Sequence, residues 1–221
     1  MILMGHRGAK EQLPENSLLG FQKVIEKGLK AIELDIHLSL DGEIVVIHDD
    51  TINRTTNGEG PVSEKSLAQL KDLDLGEGQT VPTLKEALDL ITKAGVITQI
   101  EIKDPNVLES LVKMIGDYPA ELITVISFDH KILKRFKEAC PQIKTACLMY
   151  GLPVNPVQIA KDCKADGISL SVHLIDKEVV DQCHKDGFSV TAWNANDKEM
   201  VNRFKEMGVD FLGTDYPLDL F

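Results

Sequence analysis

VITQIEI at residues 96–102 and LITVISF at residues 122–128 are short runs rich in β-branched residues, and four more follow. These are IKTACLM (143–149), GISL (167–170), FSVTAW (188–193) and DFLGT (210–214), with starts about 20 to 26 residues apart. Each gap holds a segment of helical spacing: Ile132, Leu133 and Phe136 recur on one helix face after Asp129, a natural N-cap. Val179, Val180 and Cys183 repeat the device after Asp176, and the exits carry glycine at Gly187 and Gly208. A strand, a helix and a strand at this beat demand parallel pairing, because the helix returns the chain to its starting edge.

Working outward, Ile2–Gly5 and Ala31–Leu38 read as two earlier strands, with a helix from about Asn16 to Lys27 between them. Two early and six late strands predict a closed TIM (β/α)8 barrel, compact at 221 residues. A doubly wound open sheet is the competing arrangement, weakened because no G-x-G-x-x-G turn follows the first strand. One region breaks the rhythm. Asp41-Gly42 signals a turn, Glu43–Ile47 is a short apolar run, and a long polar stretch then extends from His48 to about Pro82. The expectation is one catalytic domain over residues 1–221, with a small inserted segment at about 49–82 lying over the barrel mouth. After the eighth strand so few residues remain that a last helix is short or absent.

The composition narrows the partners. Thirty-five acidic against 24 basic residues give a formal charge of -11, which repels polyanions and argues against nucleic acid. A small anionic substrate then requires a bound cation or local Arg and Lys. No stretch approaches the ~20 apolar residues of a membrane span, so stable membrane insertion is not expected. The N-terminus is interrupted by charge too early for a secretory apolar core. Cys140, Cys147, Cys163 and Cys183 form no CxxC pair and no His/Cys cluster along the chain, and read as thiols of the reducing cytoplasm.

Barrel chemistry sits at the C-terminal ends of strands. The first strand ends in His6-Arg7-Gly8. In the second, Glu33 and Asp35 share a face by the period-2 alternation of a strand, while Ile32, Leu34 and Ile36 face the helices. Glu101 follows in the third, two residues before Lys103. A Glu101–Lys103 ion pair accounts for one carboxylate, but three in a barrel interior would repel and desolvate badly without a hard divalent cation. Oxygen-only ligands suit Mg²⁺ or Ca²⁺. His6 and His48 each follow a strand and precede a loop. Phosphodiester cleavage needs a base for the attacking oxygen and an acid for the departing one, and imidazole serves both. Arg7 and the cation would offset phosphoryl charge. His37 shares the parity of Asp35; His130, His173 and His184 read as surface groups. Asn16 reads as a helix cap, and Asp49 as a group that orients a histidine or is simply solvated.

The spaced pattern His6-Arg7-Gly8, Pro14-Glu15-Asn16-Ser17, Glu33-Leu34-Asp35, Asp41-Gly42, His48-Asp49 and Arg54-Thr55-Thr56-Asn57-Gly58 resembles the glycerophosphodiester phosphodiesterase family. Glu101-Ile102-Lys103, Ser127-Phe128, Trp193 and Thr214-Asp215-Tyr216-Pro217 are similar to its downstream landmarks. The resemblance implies a TIM barrel that hydrolyses a glycerophosphodiester to sn-glycerol 3-phosphate and an alcohol. It carries metal ligation to Glu33, Asp35 and Glu101, acid/base roles to His6 and His48, and phosphate contact to Arg7 and Lys103. Trp193, the only tryptophan, ends a strand and reads as an aromatic wall beside glycerol or as a core-packing residue. The family commonly continues that strand as Trp-Thr-Val-Asn where this chain has Trp193-Asn194-Ala195-Asn196, a departure that bears on alcohol preference. Sphingomyelinases D and phosphoinositide-specific phospholipases C share the arrangement; the Arg54-Thr55-Thr56 segment argues against the first, and the lack of membrane-binding features against the second. A non-catalytic barrel holding a phosphorylated metabolite and a metal-dependent lyase are readings of other classes. Neither explains two histidines beside three acids.

Overall fold

The computed structural model describes residues 1–221. Eight parallel strands close on themselves in the order β1 (Ile2–Gly5), β2 (Ala31–Leu38), β4 (Ile97–Ile102), β5 (Ile123–Ser127), β6 (Lys144–Met149), β7 (Gly167–Ser171), β8 (Ser189–Trp193) and β9 (Phe211–Thr214). The last pairs with the first through Ile2 opposite Phe211 and Gly5 opposite Thr214. This is the expected TIM barrel and not an open sheet. β3 (Ile44–Val46) lies outside the ring, antiparallel to β2.

Helices alternate with the strands: α1 (Leu18–Lys27), α2 (Leu67–Lys71), α3 (Leu84–Lys93), α4 (Leu108–Ile115), α5 (His130–Ala139), α6 (Pro156–Asp162), α7 (Lys177–Lys185), α8 (Lys198–Met207) and the four-residue α9 (Pro217–Leu220). Most of the apolar core lies between strands and helices. Ile32, Leu34 and Ile36 of β2 belong to the same buried cluster as Phe21 and Val24 of α1 and Leu88 and Ile91 of α3. Each such side chain stabilises the packed state by about 1.5–3 kcal/mol, so the outward face of β2 holds the barrel together while the inward face is free for chemistry. Asp129 and Asp176 cap α5 and α7 as the helical spacing predicted.

Three expectations need correction. Asn16 does not cap α1; Ser17 does, accepting from the Gly20 N–H, while Asn16 adopts φ 55° and turns its amide to Asp35. A short polar side chain tolerates that left-handed backbone where a β-branched one would not. Residues 49–82 are also more than a polar loop. Ile52, Val62, Leu70 and Val81 pack with Val45 and Ile47 into a small core of their own, and Ser66 and Gln69 form a reciprocal capping box on α2. Lastly, the fold brings together a His/Cys cluster that the chain spacing does not show. His130, Cys147 and Cys163 offer ligand atoms within 4.8 Å of one another, and the His130 ring bonds the Leu148 carbonyl at 2.7 Å, so it is no free surface group. Burial pushes the Cys147 thiol well up, as for an apolar core residue.

Candidate active site

His6 emerges directly from β1 into a turn with Arg7 at φ 50° and Gly8 at φ 81°. The turn is so tight that a Cβ on Gly5 would meet the Gly8 carbonyl oxygen at 2.2 Å. Its effect is to aim the Arg7 backbone N–H at Glu33 Oε2, 2.9 Å away. His6 Nδ1 lies 2.6 Å from Asp215 Oδ1, just past β9, and its Nε2 lies 3.9 Å from Glu33 Oε2. The Asn196 amide donates to Asp215 Oδ2 at 2.6 Å, and the Asp215 N–H donates to Asn196 Oδ1 at 2.9 Å. Burial alone would raise the Asp215 pKa, but His6, Asn196 and Lys10 pull it down to about 2. The carboxylate therefore stays ionised and orients the ring.

The β2–β4 register sets Asp35 opposite Glu101 and Glu33 opposite Gln99. One carboxylate oxygen from each of Glu33, Asp35 and Glu101 falls within 4.8 Å of the others, and all three residues are buried. Asp35 Oδ2 accepts from Asn16 Nδ2 at 2.9 Å and lies 3.3 Å from Arg7 Nε, whereas Asp35 Oδ1 is buried with no partner. Burial, then Asp35 and Glu101, hold the Glu33 carboxyl well above the usual range. Burial and Asp35 push Glu101 to about 7 despite Lys103. An orphaned oxygen and two carboxyls reluctant to ionise are what an oxygen-only cation site looks like before it is charged, and this donor set fits a hard divalent ion.

His48 follows β3. Its Nδ1 lies 2.6 Å from Asp49 Oδ1, and Lys103 Nζ sits 3.1 Å from Nε2 while donating to Glu101 at 2.9 Å. An ammonium can only donate, so Nε2 carries the lone pair and Nδ1–H bonds Asp49. Burial, with Arg7 and Lys103, brings His48 below the ordinary imidazole range even though Asp35 and Asp49 oppose this. Arg54 of the inserted segment grips Asp49 at 2.7 and 3.0 Å and reaches Glu15 with two bonds of 2.8 Å. Glu15 in turn accepts from Arg7 at 2.9 Å. Among the remaining histidines, only His37 joins this assembly, its ring bonding the His48 backbone carbonyl at 3.0 Å.

The other side of the mouth has a different chemistry. A cavity of about 230 Å³ holds His6, Arg7, Glu33, His48, Glu101 and Lys103 on one wall. Its opposite wall is Ile126, Phe128, Leu148, Tyr150 and Trp193. Phe128 stacks on Tyr150 at 3.9 Å and meets Trp193 edge-on at 6.1 Å. All eight residues singled out in the sequence thus gather at one end of the barrel; Asp35 sits just behind the cavity wall.

The family model that matches is the glycerophosphoryl diester phosphodiesterase family, over residues 6–219. The chain belongs to that family. Among curated relatives, the glycerophosphodiester phosphodiesterase of Caldanaerobacter subterraneus is 35% identical, covering 98% of this chain and 94% of its own. That of Bacillus altitudinis is 31% identical over 97% and 94%. Among solved structures, an Oleispira antarctica phosphodiesterase in complex with the product sn-glycerol-3-phosphate superposes with a TM-score of 0.92 at 28% identity, covering 100% of this chain and 95% of that one. A glycerophosphodiester phosphodiesterase from Thermotoga maritima gives 0.86 at 26% identity, over 99% and 96%.

Several residues of this candidate site escaped the sequence reading. Asp215 was noted only as a landmark, yet it stands one residue beyond a strand end, as His6 does, and that position is the signal that finds it. Asn196 and Tyr150 gain their places through contacts that no local spacing reveals, whereas His37 was already set toward the mouth by sharing the parity of Asp35.

Proposed function

We propose that this chain hydrolyses glycerophosphodiesters to sn-glycerol 3-phosphate and an alcohol, using Mg²⁺ or Ca²⁺ held by Glu33, Asp35 and Glu101. The carrying observation is that two imidazoles, each anchored at Nδ1 by a carboxylate, line one cavity with Glu33 and Glu101, and Asp35, whose Oδ1 is unpartnered, completes the three-carboxylate cluster. When bound, the divalent cation supplies positive charge to the phosphoryl oxygens and lowers the cost of a pentavalent phosphorus.

The chain's own groups do the rest. Arg7 and Lys103 line the same cavity and complement the remaining phosphate charge. One imidazole takes the proton from the sn-2 hydroxyl of glycerol as that oxygen attacks phosphorus; the other protonates the departing alcohol oxygen. In the second step water opens the cyclic phosphate and the two rings exchange roles. An attacking group already tethered to the phosphate gains from proximity. Asp215 and Asp49 hold the rings and stabilise their charged forms, as an ionised carboxylate does for any catalytic imidazole. Residues 1–221 are read as one catalytic unit, with 49–82 as an inserted segment that delivers Arg54. No helix is long and apolar enough to cross a membrane. The four unpaired thiols support a reducing compartment, the cytoplasm.

The test is release of sn-glycerol 3-phosphate from glycerophosphoethanolamine, before and after exhaustive treatment with EDTA. Loss on chelation and recovery with Mg²⁺ or Ca²⁺ is expected. Turnover that persists after full metal depletion rejects the cation-dependent reading.

A further inference from the structure

On the helix side of the barrel wall, the fold gathers a second set of ligand-type side chains that the chemistry above does not use. His130 opens α5, and Cys163 directly follows α6. Cys147 lies on the face of β6 that joins the helix-facing core, unlike its inward neighbours Ala146 and Leu148. One donor atom from each of the three falls within 4.8 Å of the other two. In a tetrahedral zinc site, with Zn–S about 2.3 Å and Zn–N about 2.0 Å, donor atoms stand roughly 3.5–3.8 Å apart. Small side-chain adjustments therefore suffice to bring these three onto one ion. The Cys147 and Cys163 thiols are hydrogen-bonded to each other, and both are buried.

Buried thiols alone would be ordinary core packing. The imidazole sets this cluster apart. Its Nε2 lies 2.7 Å from the Leu148 carbonyl oxygen. A carbonyl only accepts, so Nε2 carries the hydrogen and Nδ1 keeps the lone pair. A ring N–H anchored on a backbone carbonyl, with the opposite nitrogen free, is the arrangement that holds metal-ligating histidines in place. The half-buried ring also lines a hollow of about 520 Å³ whose rim residues Tyr150 and Leu152 are exposed, which gives an ion a way in.

We infer that His130, Cys147 and Cys163 form a binding site for Zn²⁺, separate from the three carboxylates, that ties α5 and α6 to β6. The identity of the ion follows from charge. Burial raises both thiols, so the metal-free pair stays protonated and neutral. Zn²⁺ enters as two protons leave, one from each sulfur, and the dithiolate–imidazole complex is again neutral. No net charge is moved into the apolar core. A monovalent copper ion on the same ligands would leave one negative charge buried, while Mg²⁺ and Ca²⁺ prefer oxygen. The carboxylate cluster has the opposite preference, so the two sites sort their ions by donor type.

The test uses Co²⁺ as a spectroscopic stand-in for Zn²⁺, added to the phosphine-reduced protein in an excess of Mg²⁺ that occupies the carboxylates. Cobalt held by thiolates gives an ultraviolet sulfur-to-metal charge-transfer band, which oxygen ligands cannot produce. The band should appear, saturate at one equivalent per chain, and vanish when Zn²⁺ displaces the cobalt. Cys163→Ser, at a helix end rather than in a strand, should abolish the band. It should also weaken Zn²⁺ binding by more than the roughly 10–100-fold that loss of an outer partner costs. His130→Phe should keep a sulfur band but lower Zn²⁺ affinity by about tenfold or more. Absence of the band in the unsubstituted protein overturns the proposal, whether or not the variants fold. A band undiminished in C163S also overturns it, by assigning the ion to Cys140 or Cys183. Unchanged Zn²⁺ affinity in H130F does the same, since it removes the imidazole from the site.

Discussion

Around one barrel mouth, the ends of β1, β2 and β4 carry His6, Arg7, Glu33, Asp35, Glu101 and Lys103, whereas the ends of β5, β6 and β8 carry Ile126, Phe128, Leu148 and Trp193. Both groups sit on the inward face of the same kind of strand. They differ in what burial costs. On the first side burial is unfavourable for nearly every group and is relieved by neighbours, Lys103 by Glu101 and Arg7 by Asp35 and Glu15, while the three acids crowd one another. On the second side burial is favourable for the apolar surface, though the Trp193 indole N–H is buried there without a partner. A barrel can therefore place strained, chargeable groups beside relaxed, apolar ones because each strand contributes only two or three inward residues, and the helix-facing core supplies the stability for both.

If the charged side carries the chemistry, the largest effect should come from His48→Ala. Its kcat is expected to fall by about 10³-fold, with divalent cation affinity by calorimetry little changed, since His48 is not among the oxygen ligands. Unaltered kcat would remove the division of labour altogether. A mid-sized effect tests whether the acids are held at a cost. The Glu33 and Glu101 carboxyls are raised above their unfolded values, Glu101 to about 7, chiefly by burial and then by Asp35. A raised carboxyl contributes its full stability below the unfolded value and loses it as pH rises through the folded one. The metal-stripped protein should thus melt roughly 5 °C lower at pH 8 than at pH 5.5, and Mg²⁺ or Ca²⁺ at pH 8 should restore it. Differential scanning calorimetry checks both halves, and a melting temperature that rises with pH in the stripped protein would contradict the account. The smallest effect belongs to the apolar side. Phe128→Leu removes the ring that joins Tyr150 and Trp193 and should raise KM by a few-fold with kcat nearly constant, because such contacts are made equally in the ground and transition states. A fall in kcat alone would mean that this wall takes part in the chemistry.

The two sides were also unequally legible. Glu33, Asp35 and Glu101 can be read from a strand's two-residue period, which sorts them from Ile32, Leu34 and Ile102 without any three-dimensional knowledge. Most of the barrel is read in the same way, from six evenly spaced runs. The anchoring of His6 was not legible, since Asp215 lies 209 positions away and meets it only across the β1–β9 seam. The inserted segment looked polar because its apolar residues, Ile52, Val62, Leu70 and Val81, follow neither a helical nor a strand period. They converge through turns and a five-residue helix instead. The aromatic wall was half visible: Trp193 stood out as a lone residue of its type, while Tyr150 sat in a loop and gained meaning only by stacking on Phe128.

The seam between β1 and β9 has a temporal side. A ribosome delivers His6 209 positions ahead of Asp215, and the two strands that flank them pair along four positions. A nascent chain can complete the β2–β4–β5 wall, with its cluster of acids, while β1 still lacks one of its neighbours. The His6–Asp215 contact then forms only when β9 docks and the imidazole acquires its carboxylate. Until then, an unfinished polypeptide holds the acids of β2 and β4 without the His6 imidazole fixed beside them. The order of translation thus sets when that contact can form.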